Sequence, residues 1–296
     1  SAASDVYKRQ VQPVDDGWQE NFESVELSPD GSRAAVTVGD LLDTEIWVKD
    51  LDAGPARRLT TYQGMNRRPV WSPDGSELAF ITDRSGSREA WVVPVDGVVA
   101  PRLLLAHPGM EVDEVGWSAD GDWLIYRTGT SPGVRDIFAR RVGPDTMTIA
   151  VSAQPEVDER SPVLSPDGRW VAYLSDEDGE EAIWVRPFPD VGAGSRRVSP
   201  SRAVEPIWSG DGRELFFRTA AVNAVPVTDP ESFTTGTVEA LFTVDDLLYF
   251  TSHRAYAYDS PNRRFLALRM VREGVARAEL RLVQNFMDEV RERLGN

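Results

Sequence analysis

The sequence predicts an all-β fold: a six-bladed β-propeller of four-stranded antiparallel blades, followed by a short C-terminal helix. Three observations predict it. A turn sequence of the form Ser-x-Asp-Gly, with proline at x in three copies, recurs at intervals of 44 to 47 residues, and an aromatic residue follows four of the turns at a nearly fixed distance. Each period also contains four short runs rich in β-branched and aromatic residues. Four strands in about 45 residues is the pattern of a propeller blade.

Each copy of the turn sequence predicts a tight reversal between two strands. Proline holds φ at about −65°, aspartate accepts hydrogen bonds from the nearby backbone, and glycine adopts the left-handed conformation without strain. Five copies are clear and a sixth is degenerate: 28–31, 72–75, 118–121, 165–168, 209–212 and 259–262. Short β-rich runs on both sides of each copy predict the first two strands of a blade.

The aromatic residues mark a third strand. Trp47, Trp91 and Trp184 each lie 17 residues after a turn aspartate, Phe138 lies 18 after one, and runs such as 102–105 predict a fourth strand. We expect the tryptophans at equivalent repeat positions to pack between blades, because aromatic rings bury large areas there. The alternative is a carbohydrate or cation cage. These tryptophans are Trp47, Trp71, Trp91, Trp117, Trp184 and Trp208.

Counting the turns predicts one domain over residues 11–296. The predicted blades start near residues 22, 66, 112, 159, 204 and 253. In the fifth blade the third strand, 224–227, comes early, and 229–236 is an insertion. The sixth blade shows only three strands, around 255–258, 265–270 and 279–283. We expect the stretch near 5–15 to supply its fourth strand, because ring closure removes the open sheet edges.

The two ends of the chain depart from the repeat. Residues 1–10 match neither the blades nor a secretory signal, and we interpret them as non-native sequence, so the lack of a targeting segment carries no information. Residues 285–294 predict the single helix. Asn285 is a suitable N-cap, and Phe286, Val290 and Leu294 fall on one apolar stripe.

Composition excludes several classes of partner. The chain has 32 Lys and Arg against 48 Asp and Glu, a net charge of −16, so a phosphate-binding surface for nucleic acid is not expected. It has no cysteine, which excludes disulfides and thiolate metal sites. No run of 18 apolar residues is present, so this segment is not expected to contact a membrane. We expect a monomer without a cofactor.

No catalytic or metal site is predicted. A hydrolase needs a nucleophile elbow and a partner histidine, and the chain has only His107 and His253, without an elbow. The acidic run 176–181 offers oxygen atoms for Ca²⁺ but lacks the spacing of an EF-hand, which favours a solvated hairpin loop. The glycine-rich loop, lysine and catalytic-loop motif of protein kinases are also absent.

The predicted binding site is a ring of charged residues at one mouth of the central channel. The innermost strand of each blade lines the channel, and the residues three or four before the pre-turn position are mostly charged. They are Glu23, Arg67, Arg68, Asp113, Glu114, Arg160, Glu205 and Arg254. Such a ring predicts binding of a peptide terminus or a zwitterionic solute through charge-assisted hydrogen bonds. The alternative is that these charges pair with one another between blades and bind no ligand.

The repeats resemble the TolB-like, WD-type propeller group, which includes the propeller halves of dipeptidyl peptidases and tricorn-type proteases. An ordered series of segments also resembles the C-terminal propeller of bacterial membrane-anchored serine/threonine kinases, with Phe286 where that family has Trp. These segments are 205–209, 214–218, 233–242, 264–266 and 283–290. The resemblance covers residues 18–296. It implies a periplasmic or otherwise extracytoplasmic domain that binds a ligand or docks a partner.

Three classes of function follow. The first is a non-catalytic propeller that binds protein, peptide or small molecule, for which the resemblance implies the role of the sensor half of an envelope kinase. The second is the non-catalytic propeller of a TolB-like protein or of a prolyl-oligopeptidase or dipeptidyl-peptidase type hydrolase. The closing helix favours the first, because a catalytic domain usually follows the propeller in such hydrolases. The third is an enzyme with a metal at the channel mouth.

Overall fold

The chain forms a ring of six antiparallel sheets. The computed structural model describes residues 10–40, 42–243, 254–271 and 277–284. Each sequence repeat folds into one blade, so the predicted six-bladed propeller of four-stranded sheets is confirmed, with one additional strand in blade 5. The predicted helix at 285–294 lies outside the described residues.

In blades 1 to 5 the first strand of each blade lies at the central channel, and the following strands lie progressively further out, in chain order. β1 (Gln10–Pro13) belongs to the last blade. Blade 1 contains β2 (Phe22–Leu27), β3 (Arg33–Asp40), β4 (Asp43–Asp50) and β5 (Arg57–Arg58), and blade 2 contains β6 (Asn66–Trp71), β7 (Glu77–Thr82), β8 (Glu89–Pro94) and β9 (Arg102–Leu105). Blade 3 contains β10 (Val112–Trp117), β11 (Trp123–Thr128), β12 (Asp136–Arg141) and β13 (Thr148–Ser152).

Blade 4 has the same four-stranded pattern, whereas blade 5 has an additional strand and blade 6 has only three consecutive strands. Blade 4 contains β14 (Glu159–Leu164), β15 (Trp170–Ser175), β16 (Ala182–Pro187) and β17 (Arg196–Arg197), with a 3-10 turn at Val191–Ala193. Blade 5 contains β18 (Val204–Trp208), β19 (Glu214–Arg218), β20 (Val222–Asp229), β21 (Thr234–Thr235) and β22 (Glu239–Phe242). The insertion is the β20–β21 hairpin, and β22 also pairs with β20. Blade 6 contains β23 (Tyr256–Asp259), β24 (Arg264–Val271) and β25 (Arg277–Gln284).

The repeated turn is held by its own side chains. In blade 2 the Ser72 hydroxyl donates to Asp74 Oδ1 at 2.6 Å and accepts the backbone N–H of Glu77 at 3.0 Å. Gly75 has φ 70°, which a residue with a Cβ adopts only with strain. The same serine-to-aspartate bond occurs in the turns of the first five blades, which explains why serine and aspartate recur there.

Apolar side chains from facing sheets fill the space between neighbouring blades. Trp71 of blade 2 is buried in one cluster with Ile46 and Val48 of blade 1. The Arg33 guanidinium lies 4.6 Å from the centre of the Trp71 ring, which adds a cation–π contact. The tryptophans at equivalent repeat positions lie within or against such clusters, so their main role is to join the blades.

The N-terminal strand closes the ring. β1 pairs antiparallel with β25, with Val11 opposite Val283, so the stretch predicted to complete the last blade does so. The first and last inner strands also meet, because the Val25 N–H donates to the Arg254 carbonyl oxygen at 3.0 Å. Closure in this way brings the inner strands of all six blades around one axis.

Candidate functional site

The inner strands surround a cavity of about 80 Å³ at the centre of the ring. Every blade contributes to its lining. The described lining residues are Ser24, Val25, Glu26, Arg68, Pro69, Val70, Glu114, Val115, Ser161, Pro162, Glu205 and Arg254. The cavity combines aliphatic walls with carboxylate, guanidinium and hydroxyl groups, a composition typical of ligand sites.

Three of the lining residues have an unusual backbone conformation. Arg68, Ser161 and Glu205 have φ values of 55°, 54° and 58°, and each immediately precedes a proline. The pairing of the inner strand with its neighbour is interrupted at each of them. A residue before proline is normally extended, so the left-handed conformation costs free energy here. Such strain persists only where the surrounding structure enforces it, and it is concentrated at functional sites.

Contacts from both neighbouring blades hold Arg68. Its N–H donates to the Thr37 hydroxyl of blade 1 at 3.1 Å. Its guanidinium lies 3.1 Å from Asp113 Oδ2 and 3.1 Å from Glu114 Oε1, both of blade 3. Burial lowers the pKa of Arg68 to about 10, against the opposing effect of the two carboxylates. The side chain therefore stays cationic at neutral pH.

Asp113 is the centre of a buried ion-pair cluster beside the cavity. The Arg67 guanidinium lies 2.6 Å from Asp113 Oδ1 and that of Arg88 lies 3.2 Å from the same oxygen, while Arg127 contacts Oδ2. Burial alone would raise the pKa of Asp113, but the arginines, Arg68 first, hold it well below its usual range. This carboxylate orients guanidinium groups rather than facing the cavity.

Ser161 lines the cavity and carries a hydroxyl group. Its backbone N–H donates to Glu114 Oε2 at 2.7 Å, a contact between blades 4 and 3. Within the described residues the hydroxyl itself makes no hydrogen bond. It is therefore positioned to donate to, or accept from, a bound molecule.

Glu205 is held from two neighbouring strands. Its carboxylate accepts hydrogen bonds from Arg218 Nη2 at 2.7 Å and Nε at 3.2 Å, and its carbonyl oxygen accepts one from the Tyr256 hydroxyl at 2.7 Å. Burial raises the pKa of Glu205, with Arg218 opposing that effect. These hydrogen bonds fix Glu205 in a position where it lines the cavity.

Glu26 and Arg254 form the ion pair that connects blade 1 to blade 6. Arg254 Nη1 donates to Glu26 Oε2 at 2.8 Å. Burial raises the pKa of Glu26, and Arg254 opposes the shift. Glu26 was not among the predicted residues. Two-residue alternation along the strand does not single it out, because Ser24 and Val25 line the cavity as well.

The structure brings together half of the predicted ring. Arg68, Glu114, Glu205 and Arg254 line the cavity, together with the unpredicted Ser24, Glu26 and Ser161. The other predicted residues lie in charge clusters around it. Arg67 contacts Asp113, and Glu23 lies near Arg67 and Arg68, where burial raises its pKa. Arg160 pairs within blade 4, with Asp158 at 2.6 Å and Glu181 at 2.5 Å.

The other residues considered for chemistry are engaged in local contacts. His107 Nδ1 lies 3.0 Å from the Tyr126 hydroxyl oxygen, and His253 lies outside the described residues. The acidic run lies between β15 and β16, where Asp178 pairs with Arg197 at 2.5 Å. In the part of the chain that the structure describes, no group of three or more His, Asp or Glu side chains could hold a metal ion. The described ranges contain no helix long and apolar enough to span a bilayer.

Comparison with known proteins matches this architecture. The family model PD40, described as the TolB beta propeller domain, matches residues 18–186, more than half of the chain. Over 165 residues the chain is 32% identical to Tricorn protease homolog 1 of Streptomyces coelicolor, covering 54% of the chain and 14% of that protein. Over 156 residues it is 30% identical to the Protein TolB homolog of Chlorobium luteolum, covering 52% of the chain and 33% of that protein.

A solved structure shows the same fold at greater sequence distance. TolB from Acinetobacter baumannii superposes with a TM-score of 0.58 at 16% identity, covering 86% of the chain and 64% of that structure. The chain spans one third or less of the two curated relatives described above, so the matches concern the propeller and not the whole of either relative.

Proposed function

The chain belongs to the PD40 family of TolB beta propeller domains, and from that premise we propose that it is a non-catalytic binding module. The proposed site is the central cavity, and the proposed ligand is the terminus of a peptide or a small zwitterionic molecule. Arg68 and Arg254 supply cationic donors, Glu26 and Glu205 supply acceptors, and the Ser161 hydroxyl supplies either. The negative group of a zwitterionic ligand would bind the arginines, and its positive group would bind the glutamates.

One observation carries the proposal. Arg68, Ser161 and Glu205 come from three blades, all adopt the strained left-handed conformation, and all line the same cavity. Ion pairing between blades accounts for Arg67 and Asp113, which lie beside the cavity, but does not require strained backbone within it. A pre-organised binding surface does explain that strain, because fixed groups lose little entropy when a ligand binds.

We further propose that this module is the extracytoplasmic sensor of a bacterial serine/threonine kinase. Support comes from the ordered segments of blade 5 and the C-terminal region, which resemble the propellers of such kinases. The sequence upstream in the genome tests it. A kinase domain followed by one transmembrane helix is expected, and a signal peptide alone would contradict the kinase link.

A binding screen tests the site. The protein is screened against a random hexapeptide library by fluorescence polarisation, and each hit is measured again with Arg68→Gln and Glu205→Gln. Glu205→Gln keeps the size of the side chain and removes its charge, and Arg68→Gln removes the charge and leaves a shorter polar side chain. We expect both to weaken the hits at least tenfold. Hits that bind both variants as they bind the natural protein would place the site elsewhere.

Two controls make that result interpretable. Arg58→Gln removes an exposed arginine of β5, paired with Glu45 at 2.9 Å and far from the cavity lining, and should leave binding unchanged. Circular dichroism at the assay temperature confirms that Arg68→Gln and Glu205→Gln are folded. If either is not, Ser161→Ala replaces it, because it removes only a hydroxyl group from a residue that lines the cavity.

A second candidate is the propeller of a peptidase, in which the channel admits peptides to a catalytic domain elsewhere in the protein. The 32% identity to Tricorn protease homolog 1 favours it. A protease domain encoded in the same reading frame would support this candidate. The kinase-linked proposal instead expects the kinase domain.

A further inference from the structure

The repeated turns interlock around one face of the ring. A Cβ placed on Gly75 would lie 3.6 Å from Pro29 Cδ of the preceding turn, and one on Gly212 would lie 3.6 Å from Pro166 Cδ. Pro73 stands in the same relation to Gly121, at 4.0 Å. The proline of one turn therefore packs beside the glycine of the next.

Two turns lack that proline, and the consequences differ. Gly210 takes its place in blade 5, and its N–H donates to the Ser260 hydroxyl at 2.9 Å, which fills the space. Ala119 takes its place in blade 3, and no described atom lies within 4 Å of where a Cβ on Gly168 would be. The turns of blades 3 and 4 are therefore separated by a gap.

A pocket of about 350 Å³ opens at this face, within the range of about 300–1,000 Å³ found for ligand sites. Both turns without proline contribute to it. Its described lining is mainly apolar: Val70, Val115, Gly116, Trp117, Ala119, Ile125, Pro162, Val163, Leu164, Pro166, Ile207, Trp208, Ser209 and Gly210, with Glu26 and Arg254. We call it the turn-face pocket.

Its charged end is shared with the central cavity. Glu26 and Arg254 line both spaces, so the turn-face pocket and the cavity adjoin at this ion pair. Arg254 donates to Glu26 through Nη1, and within the described residues its other N–H groups make no hydrogen bond. Its side chain is 28% exposed. Arginine presents a planar fork of donors that matches a carboxylate in two-point contact.

We propose that the turn-face pocket binds the C-terminal residue of a peptide that ends in a bulky apolar side chain. The side chain packs against Trp117, Ile207 and Trp208, and the α-carboxylate binds Arg254. This inference rests on the proposed binding function, because it names the chemistry of a ligand that enters the same channel. The combination of apolar walls with one available guanidinium distinguishes this ligand from a purely polar one.

Two peptides test the ligand class. Ac-Ala-Ala-Phe is compared with its C-terminal amide by isothermal titration calorimetry on the natural protein. The free acid is expected to bind at least tenfold more tightly, because only it can form the two-point contact with Arg254. Equal affinity, a preference for the amide, or no binding of either peptide would overturn the proposal.

One substitution tests the pocket. Ala119→Pro installs the residue that three other turns have at this position and narrows the gap above Gly168. It should weaken binding of Ac-Ala-Ala-Phe at least tenfold without lowering the melting temperature. Pro29→Ala, in an equivalent turn that is not part of the described pocket lining, is the matched control and should bind normally. Unchanged affinity of Ala119→Pro would overturn the proposal.

Arg254→Gln tests the carboxylate contact and should reduce the acid-to-amide preference to within threefold. A preference that persists in this variant would overturn the proposal. The two proposals fail separately. Library hits that depend on Arg68 and Glu205 while Ac-Ala-Ala-Phe does not bind would leave the central site standing without this pocket. Loss of peptide binding in Ala119→Pro, with no effect of Arg68→Gln, would leave the pocket without the central site.

Discussion

The Tyr256 hydroxyl of blade 6 donates a 2.7 Å hydrogen bond to the carbonyl oxygen of Glu205, one of the three left-handed residues of the cavity. Both residues are buried. Tyr256→Phe leaves that carbonyl without its donor, so we expect the free energy of unfolding in urea to fall by about 1–3 kcal/mol.

Tyr258→Phe is the control for this change. Tyr258 lies on the same strand, and within the described residues its hydroxyl makes no hydrogen bond. Its removal should change the free energy of unfolding by about 0.5 kcal/mol or less. Equal losses in the two variants would show that the Tyr256–Glu205 bond does not stabilise the site.

The turn aspartates predict a loss of stability in acid. The Ser28 hydroxyl and the backbone hold the pKa of Asp30 at about 2, and the Ser72 hydroxyl does the same for Asp74. These values lie below that of an unfolded aspartate, so the stabilisation is present above about pH 4 and is lost as the pH falls through about 2. The melting temperature of the natural protein should therefore drop between pH 5 and pH 2.

The double variant Asp30→Asn and Asp74→Asn tests the source of that drop. Its melting temperature should be lower than that of the natural protein at pH 5. Between pH 5 and pH 2 its melting temperature should fall less, because two of the responsible carboxyl groups are no longer present. Asp145→Asn, an exposed aspartate without a hydrogen bond in the described residues, should decline like the natural protein. An equal fall in melting temperature between pH 5 and pH 2 for the double variant and the natural protein would show that Asp30 and Asp74 do not cause the drop.

Removal of Arg127 should lower the free energy of unfolding more than removal of an exposed arginine. Its side chain is 2% exposed and contacts the carboxylates of Asp113 and Glu114. Arg127→Met leaves buried negative charge undercompensated, and the expected loss in unfolding free energy is about 3–5 kcal/mol. Arg102→Met breaks an exposed pair with Glu77 and should cost about 1 kcal/mol or less. Similar losses in unfolding free energy for the two variants would show that Arg127 does not neutralise the buried carboxylates.

Strand β1 is expected to stabilise the whole ring. Val11 pairs with Val283 and packs against the cluster that contains Phe216 and Phe265. Deleting residues 1–13 should lower the free energy of unfolding by about 2–4 kcal/mol, from lost apolar burial and lost strand pairing. Deleting residues 1–9 leaves β1 in place and should have little effect. Equal stability of the two deletions would show that closure does not depend on β1.

The architecture could be predicted because its turns demand particular residues. Ser72 is hydrogen-bonded to Asp74, to the Gly75 N–H and to the following strand, so serine, aspartate and glycine recur in the turns of the first five blades. Closure by the N-terminal stretch followed from the missing strand of the last blade. The first inference depends on the residues that the turn requires, and the second depends on the number of strands in each repeat. A sequence shows both directly.

The site could be predicted only in part, because the inner strands are irregular at the channel. Alternation along a strand tells which residues share a face, but an interrupted pairing shifts that assignment. At Arg67 and Arg68 the interruption places Arg68 on the cavity and turns Arg67 towards Asp113. The proline after Arg68 was the available signal. The pairing of Arg254 with Glu26 depends on the meeting of the first and last blades, which spacing does not reveal.

A crystal structure of the protein with a peptide from the binding screen tests the central claim most directly. The account predicts electron density for the peptide within the ring, in contact with Arg68, Ser161 or Glu205. Density on the outer strands of a blade, with the central cavity filled only by solvent, would contradict it.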